Sequence, residues 1–135
     1  MAPRAPAGLV LTPGASAGRD QPSLVAIESA LAPEGIVVER VDFPYKKAGR
    51  RRPDPAPVLI DTVRSATGEL AGRLGGPTAR IAAGGRSMGG RMCSMAAAEG
   101  LAVAALVLVS YPLHPPGRPE RLRSEHFPRI DVPCL

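Results

Sequence analysis

Short apolar runs alternate along the chain with stretches whose apolar residues recur every three or four positions. Runs of four to eight apolar residues are typical of buried strands, and the longer spacing is typical of amphipathic helices. The runs predict five strands, at residues 8–12, 36–41, 79–83, 102–109 and 131–135. The run at 102–109 shows no polar alternation, which indicates a strand covered on both faces.

Helices are predicted in the intervals between these strands. The first begins near Asp20, with Pro22 at an early position where proline is tolerated, and ends at Pro33 and Gly35. The second follows an apolar stripe formed by Leu59, Val63, Ala66, Leu70 and Leu74 and ends at Gly75-Gly76. The third covers 91–99. Residues 42–57 are predicted to be a long loop, and 110–127 an irregular loop with one helical turn at 119–123.

Strand–helix repetition with short connections predicts an α/β fold, a three-layer sandwich around a mostly parallel, doubly wound sheet of about five strands in the order 2-1-3-4-5. The 135 residues are expected to form a single domain. Ligands of such sheets bind beyond the carboxyl ends of the strands. We therefore expect the site where the loops at 13–19, 42–57, 84–90 and 110–127 converge.

Composition narrows the function classes. Aromatic residues make up only 3% of the chain and the net charge of +5 is dispersed, so nucleic-acid binding is disfavoured. The basic residues of one loop keep an acidic partner or nucleic acid as an alternative: Lys46, Lys47, Arg50, Arg51 and Arg52. Cys93 and Cys134 have no metal-ligand spacing and no disulfide pattern, and no apolar run reaches membrane length. A cytoplasmic protein without metal or organic cofactor is expected.

The strongest chemical signal is Gly85-Arg86-Ser87-Met88-Gly89, a G-x-S-x-G sequence between a predicted strand and a predicted helix. A serine on such a tight turn needs glycines two residues away on each side, because a Cβ there would collide with the crossing backbone. This pattern predicts that the Ser87 hydroxyl is a nucleophile at the carboxyl edge of the sheet and that the Met88 N–H faces the same space. The simpler alternatives are a turn serine in a Gly-rich crossover and part of an anion-binding loop.

Several other polar residues are candidates for lesser roles. His114 follows the fourth strand and either acts as a base for Ser87 or shapes the pocket, whereas His126 is expected to be remote and exposed. Asp42 is expected to cap a helix or pair with the arginines at 50–52. Arg86 and Arg91 either attract an anionic substrate or pair with surface carboxylates. Cys93 is expected to be a buried, inert thiol, and Met88, Met92 and Met95 are expected to pack in the core.

Five sequence blocks together resemble a known family: Leu11-Thr12-Pro13-Gly14-Ala15, Asp42-Phe43-Pro44-Tyr45, Gly49-Arg50-Arg51, Gly84-Gly85-Arg86-Ser87-Met88-Gly89-Gly90-Arg91 and Tyr111-Pro112-Leu113-His114-Pro115-Pro116-Gly117. The chain resembles α/β-hydrolase-fold proteins related to dienelactone hydrolases. Within that group it is similar to the branch with the testis-expressed hydrolase-like protein and a histone-acetyltransferase-complex subunit. The resemblance extends over nearly the whole chain.

The resemblance implies a serine hydrolase acting on an ester, thioester or related acyl bond of a small molecule. Ser87 matches the nucleophile, the Met88 N–H one oxyanion donor, and the Gly14-Ala15 loop the other. Pro13 stands where relatives often have histidine. The family's acid would follow the strand that begins at Val132 and its histidine the strand after that, so both are expected to lie outside these residues. The chain is accordingly expected to be a hydrolase fragment with little activity of its own; the alternative is a non-catalytic interaction module with this fold.

Overall fold

A computed structural model describes residues 5–135 and contains a four-stranded parallel sheet. Its strands are β1 (Gly8–Thr12), β2 (Val37–Arg40), β3 (Ile81–Arg86) and β4 (Leu106–Val109). They lie in the order β2-β1-β3-β4, which confirms the predicted order for these four strands.

Helices connect the strands and cover both faces of the sheet. They are α1 (Pro22–Leu31), α2 (Pro44–Lys47), α3 (Ala56–Arg73) and α4 (Met88–Ala98), accompanied by short 3-10 turns at Ala32–Glu34, Thr78–Arg80 and Phe127–Arg129. The three-layer prediction is confirmed.

The core is divided between the two faces of the sheet because successive strand side chains point in opposite directions. Leu9 and Leu11 of β1 pack with Leu24 of α1 on one face. Val10 packs with Leu70 of α3 on the other face. Every residue of β1 is buried, as expected for a central strand covered on both sides. This packing fixes the carboxyl edge of the sheet as a rigid platform.

The bounds of β3 and α4, the elements on either side of Ser87, differ from the predicted bounds. β3 starts after the 3-10 turn at Thr78–Arg80 and continues through Gly84 and Gly85 to Arg86. α4 begins at Met88, directly after Ser87, rather than at residue 91. Glycine is a weak former of both structures, so the pattern did not extend either element across the glycine pairs. In the structure the strand and the helix meet at a single residue.

The loop predicted at 42–57 contains a short helix, α2, which begins at Pro44 immediately after Phe43. Tyr45 in this helix is buried, and α3 already begins at Ala56. β4 is shorter than predicted and begins at Leu106. No helix among residues 5–135 is both long and apolar enough to cross a membrane.

Residues 133–135 lie beside β4 and form backbone hydrogen bonds with it. Leu106 bridges Cys134 in the parallel sense, and the Leu108 N–H donates to the Leu135 carbonyl at 2.8 Å. The predicted fifth strand is therefore correctly placed beside β4, but it is one bridge rather than a full strand. The helical turn predicted at 119–123 is wrong, since the 3-10 turn lies at Phe127–Arg129.

Candidate active site

Ser87 is the single residue between β3 and α4, and its backbone is strained. Its φ is 51° and its ψ is −117°, a left-handed conformation that is uncommon outside glycine. Its N–H donates to the Val109 carbonyl at 2.8 Å, and its own carbonyl accepts from the Arg91 N–H at 3.1 Å. These bonds tie the turn to β4 on one side and to α4 on the other, so the Ser87 side chain is held at the carboxyl edge of the sheet.

The glycines around Ser87 permit this turn. A Cβ at either Gly85 or Gly89 would overlap the Thr12 carbonyl oxygen at the end of β1, which confirms the predicted close approach. The same constraint applies to two glycines that the sequence argument did not use. A Cβ at Gly84 would overlap the Val107 carbonyl, and one at Gly90 would lie 2.7 Å from the Gly85 carbonyl. In the sequence, the pairs Gly84-Gly85 and Gly89-Gly90 on the two sides of Ser87 indicated this crowding.

The loop after β1 lies beside Ser87. A Cβ built at Gly14 would stand 3.7 Å from the Ser87 Cβ. The Gly14 N–H donates to Gln21 Oε1 at 3.0 Å and is therefore occupied. The Ala15 N–H makes no backbone hydrogen bond within residues 5–135. Met88 is the first residue of α4, and the first N–H groups of a helix have no intrahelical acceptor. Two backbone donors thus remain available near the Ser87 turn.

Two residues that sequence reasoning left without a role position this loop. Gln21 holds Gly14, and the Tyr45 hydroxyl donates to the Ala15 carbonyl at 2.9 Å. The Tyr45 N–H in turn donates to Asp54 at 2.8 Å. Burial, followed by the charges of Asp54 and Asp42, raises the pKa of Tyr45, so its hydroxyl keeps its proton for the bond to Ala15. Tyr45 belongs to one of the blocks that carry the family resemblance, which was the available signal.

No side-chain hydrogen bond within residues 5–135 includes the Ser87 hydroxyl. His114 lies exposed in the loop after β4, and its Nδ1 donates to the neighbouring Pro115 carbonyl at 3.0 Å. The structure therefore places His114 at the expected edge of the sheet without bringing it into a hydrogen bond with Ser87.

His126 is buried, so the prediction that it is exposed is wrong. Its Nε2 lies 2.7 Å from the Ser94 hydroxyl of α4, and its ring meets that of Phe127 edge to face. Burial, followed by the charges of Arg91 and Arg129, lowers the pKa of His126. Irregular loops give no periodic signal, so the sequence could not show that this segment folds back onto α4.

Asp42 does not pair with the arginines at 50–52, which corrects that prediction. Its Oδ1 accepts the Arg19 N–H at 2.7 Å, while Arg50 pairs with Asp54 at 2.9 Å. Asp54 lies only four residues after Arg50, so the two side chains pair locally.

Arg86 and Arg91 lie at the strand-to-helix turn of residues 85–91 around Ser87, here called the elbow. Neither arginine forms an ion pair within the described part of the chain. Arg86 is exposed, whereas the Nε of Arg91 is buried without a hydrogen-bond partner. Of the two alternatives for these residues, pairing with surface carboxylates is not observed.

Cys93 is the buried, inert thiol that was predicted. It is fully buried on α4, its Sγ donates to the Gly84 carbonyl at 3.4 Å, and burial raises its pKa to about 12. A thiol with such a pKa is protonated at neutral pH and is a poor nucleophile. Met92 is also buried, with Met88 and Met95 packed against the same cluster. Within residues 5–135 no three His, Cys, Asp or Glu side chains are grouped as a metal site.

Comparisons with known proteins agree with this fold. The sequence model of a family described as an alpha/beta hydrolase domain matches residues 5–135. Among solved structures, the chain is similar to a dienelactone hydrolase from Anabaena variabilis, with 23% identity and a TM-score of 0.70 over 97% of this chain and 61% of that one.

Two further structures show the same fold. A protein assigned as a dienelactone hydrolase from Klebsiella pneumoniae has 18% identity and a TM-score of 0.65, over 100% of this chain and 61% of that one. A dienelactone hydrolase-like promiscuous phosphotriesterase from metagenomic libraries has 17% identity and a TM-score of 0.62, over 98% and 68% of the two chains. The chain thus spans about 61% of the length of the first two proteins.

Proposed function

The chain belongs to the α/β-hydrolase family, and on that premise we propose that it is the nucleophile-bearing part of a serine hydrolase. The substrate is a small molecule with an ester, thioester or related acyl bond. The observation that carries the proposal is the turn at Ser87, which has a φ of 51° and lies between β3 and α4. Gly85 and Gly89 beside it lie so close to Thr12 that neither position has room for a side chain.

The proposed reaction begins with attack of the Ser87 hydroxyl oxygen on the acyl carbonyl carbon. The carbonyl oxygen becomes an oxyanion and accepts hydrogen bonds from the Met88 and Ala15 N–H groups. Gly14 lets the loop approach Ser87, but its own N–H is occupied by Gln21. One such donor contributes roughly a hundredfold or more to the rate of acyl transfer. The leaving group departs with a proton, and water then hydrolyses the acyl-serine. These steps require no cofactor.

A base must take the Ser87 proton from a hydrogen-bonding distance of about 2.6–3.2 Å. No such group lies at the Ser87 hydroxyl within residues 5–135. We propose that the acid follows the segment at 131–135 that lies beside β4 and that the histidine follows the next strand, in the chain order Ser, acid, His typical of this fold. His114 would then line the pocket rather than act as the base.

Active-site labelling of the whole encoded protein tests the assignment. A fluorophosphonate probe should modify the protein at Ser87, since the reaction requires an activated serine hydroxyl. Ser87→Ala should abolish labelling. Ser65→Ala, at an exposed position of α3, is the matched control and should label like the wild type.

Equal labelling of wild type and Ser87→Ala would refute Ser87 as the nucleophile. Absence of labelling in a folded wild type would favour the alternative function, a non-catalytic interaction module. Reading the coding frame separates the two functions as well, because the hydrolase requires an Asp and then a His in the order given above.

A further inference from the structure

A cavity of about 970 Å³ lies between α4 and the segment 115–129. Its wall on α4 contains Arg91, one helical turn beyond Ser87, and Met95. Ser87 itself does not line it. The volume is at the upper end of the range of small-molecule sites, about 300–1,000 Å³. The cavity is therefore large enough for an organic ligand and adjoins the proposed active site.

The side chains that line the cavity carry an excess of positive charge. They include four arginines and two glutamates, which leaves a surplus of two positive charges: Arg91, Arg121, Arg123, Arg129, Glu120 and Glu125. The salt bridges formed within residues 5–135 involve none of these six residues. Each of the four arginines is thus without an ion-pair partner within residues 5–135, and the two glutamates offset only half of their charge.

Arg91 is the clearest case of a cavity arginine without a partner. Its Nε is buried and has no hydrogen-bond partner. Burial, followed by the charge of Arg123, lowers the pKa of Arg91. A half-buried guanidinium without a counterion is costly, since buried charges in proteins are normally paired. A negatively charged ligand in the cavity would supply the missing partner.

The wall opposite α4 is held in place by bonds that do not use the arginine side chains. The Tyr111 hydroxyl donates to the Arg123 carbonyl at 2.7 Å, and His126 contacts Ser94 at 2.7 Å. The rings of Tyr111 and Phe127 also meet edge to face, with centroids 5.4 Å apart. The guanidinium groups are therefore presented by a fixed segment, which lowers the entropic cost of binding.

We propose that this cavity binds the phosphate group of a small organic phosphate. A phosphomonoester carries about 1.5–2 negative charges at neutral pH and so matches the surplus of two positive charges. A single carboxylate would neutralise only half of it. Guanidinium groups also present paired donors that suit phosphate oxygens. The site is independent of the chemistry at Ser87, so its test does not depend on hydrolysis.

Titration calorimetry tests the proposal with phenyl phosphate, inorganic phosphate and acetate at equal ionic strength. Phenyl phosphate should bind saturably and more tightly than the other two. The double variant Arg91→Gln/Arg123→Gln should bind it about tenfold more weakly or worse, because charge-assisted bonds are lost. Arg80→Gln, which removes an arginine directly before β3 at the opposite edge of the sheet, should stay within about twofold of wild type.

Three results would overturn the proposal. They are the absence of saturable binding by wild type, binding of acetate or inorganic phosphate as tight as that of phenyl phosphate, and loss of binding in Arg50→Gln/Arg51→Gln instead of the cavity variant. Thermal unfolding of each variant establishes that it is folded. If the double variant does not fold, Arg129→Gln replaces it, with the same expected weakening.

Discussion

Ser87 holds a left-handed φ of 51° because three segments meet around it and leave no room for an ordinary turn. Thr12 at the end of β1 contacts both Gly85 and Gly89, so the first strand, the third strand and α4 cross at one point. Thr12 is itself buried, and its hydroxyl donates to the Gly84 carbonyl at 3.1 Å. The strain at a single serine is therefore maintained by the packing of its neighbours.

Alanine substitutions at Gly85, which this contact crowds, and at Gly68, which is uncrowded, should change the stability of the protein in opposite directions. Gly85→Ala should destabilise the protein by about 3 kcal/mol, because its Cβ would overlap the Thr12 carbonyl and force the backbone apart. Gly68→Ala is the matched control, since Gly68 lies within α3 with nothing near the added methyl group. It should stabilise the protein by about 0.8 kcal/mol through helix propensity.

Urea unfolding measures both changes as differences in the free energy of unfolding. A Gly85→Ala variant as stable as wild type would contradict the close approach of β1 to the elbow.

At the scale of elements, α4 connects the elbow to the segment that follows β4. Ser87 precedes its first residue, Arg91 faces the cavity, and Ser94 binds His126. The loop after β4 is thus attached to the same helix that positions the serine.

The burial of His126 against Ser94 predicts that the stability of the protein depends on pH. The native pKa of His126 lies below its ordinary value of 6.5, because burial and the charges of Arg91 and Arg129 disfavour the imidazolium, with Glu125 and Glu99 opposing them. The unfolded chain then binds the proton first as pH falls. The contribution of His126 to stability is complete above pH 6.5 and is lost as pH falls from 6.5 through the native pKa.

Thermal unfolding over a pH series checks this expectation. His126→Gln should differ from wild type by an amount that changes between pH 7 and pH 5, about the range in which histidine titrates. His114→Gln is the control, because His114 is exposed and its side-chain hydrogen bond is to the neighbouring Pro115. A His126→Gln difference that is constant across the range would show that the imidazole is not buried in its neutral form.

At the scale of the whole molecule, β1 and β3 form the centre of the sheet, since each is hydrogen-bonded to a strand on both sides. α2 lies outside the sheet, and it is a single turn of helix whose last residues are exposed. The centre of the sheet should therefore be the most stable region, and α2 should be less stable.

Amide hydrogen exchange tests this gradient. The Ala83 N–H, which donates to Ala105 between two covered strands, should exchange only through global unfolding. The Ala48 N–H, which donates to the Pro44 carbonyl at the exposed end of α2, should exchange faster, through local opening of that helix. Equal protection of the two amides would show that α2 is held as firmly as the central strands.

Particular elements show how far the sequence could be interpreted. The apolar stripe that begins at Leu59 predicted α3 because one face of that helix is buried against β1 and α4. The strand order followed from the chain because parallel strands need crossovers of one hand. The bounds of β3 and α4 were wrong by several residues, since glycine has no side chain with which to signal a strand or a helix.

The site was predictable only in part. The spacing of Gly85, Ser87 and Gly89 was sufficient to place the elbow, because the backbone crossing forbids any other residue type at the two glycines. Gln21 and Tyr45 were not given roles, because a hydrogen bond to the Gly14-Ala15 loop depends on how distant segments pack. The same holds for His126, which was predicted to be exposed and is buried against Ser94.

The sequence by itself determined the order of strands and helices, the buried faces and the position of the strained serine, because periodicity and glycine spacing act locally along the chain. Tertiary structure alone decided which polar groups meet. The bond from Tyr45 to Ala15 and the contact between Ser94 and His126 each join residues about 30 positions apart in the sequence. Their distances are set by the packing of α2, α4 and the 115–129 segment around the sheet, and no local pattern records them.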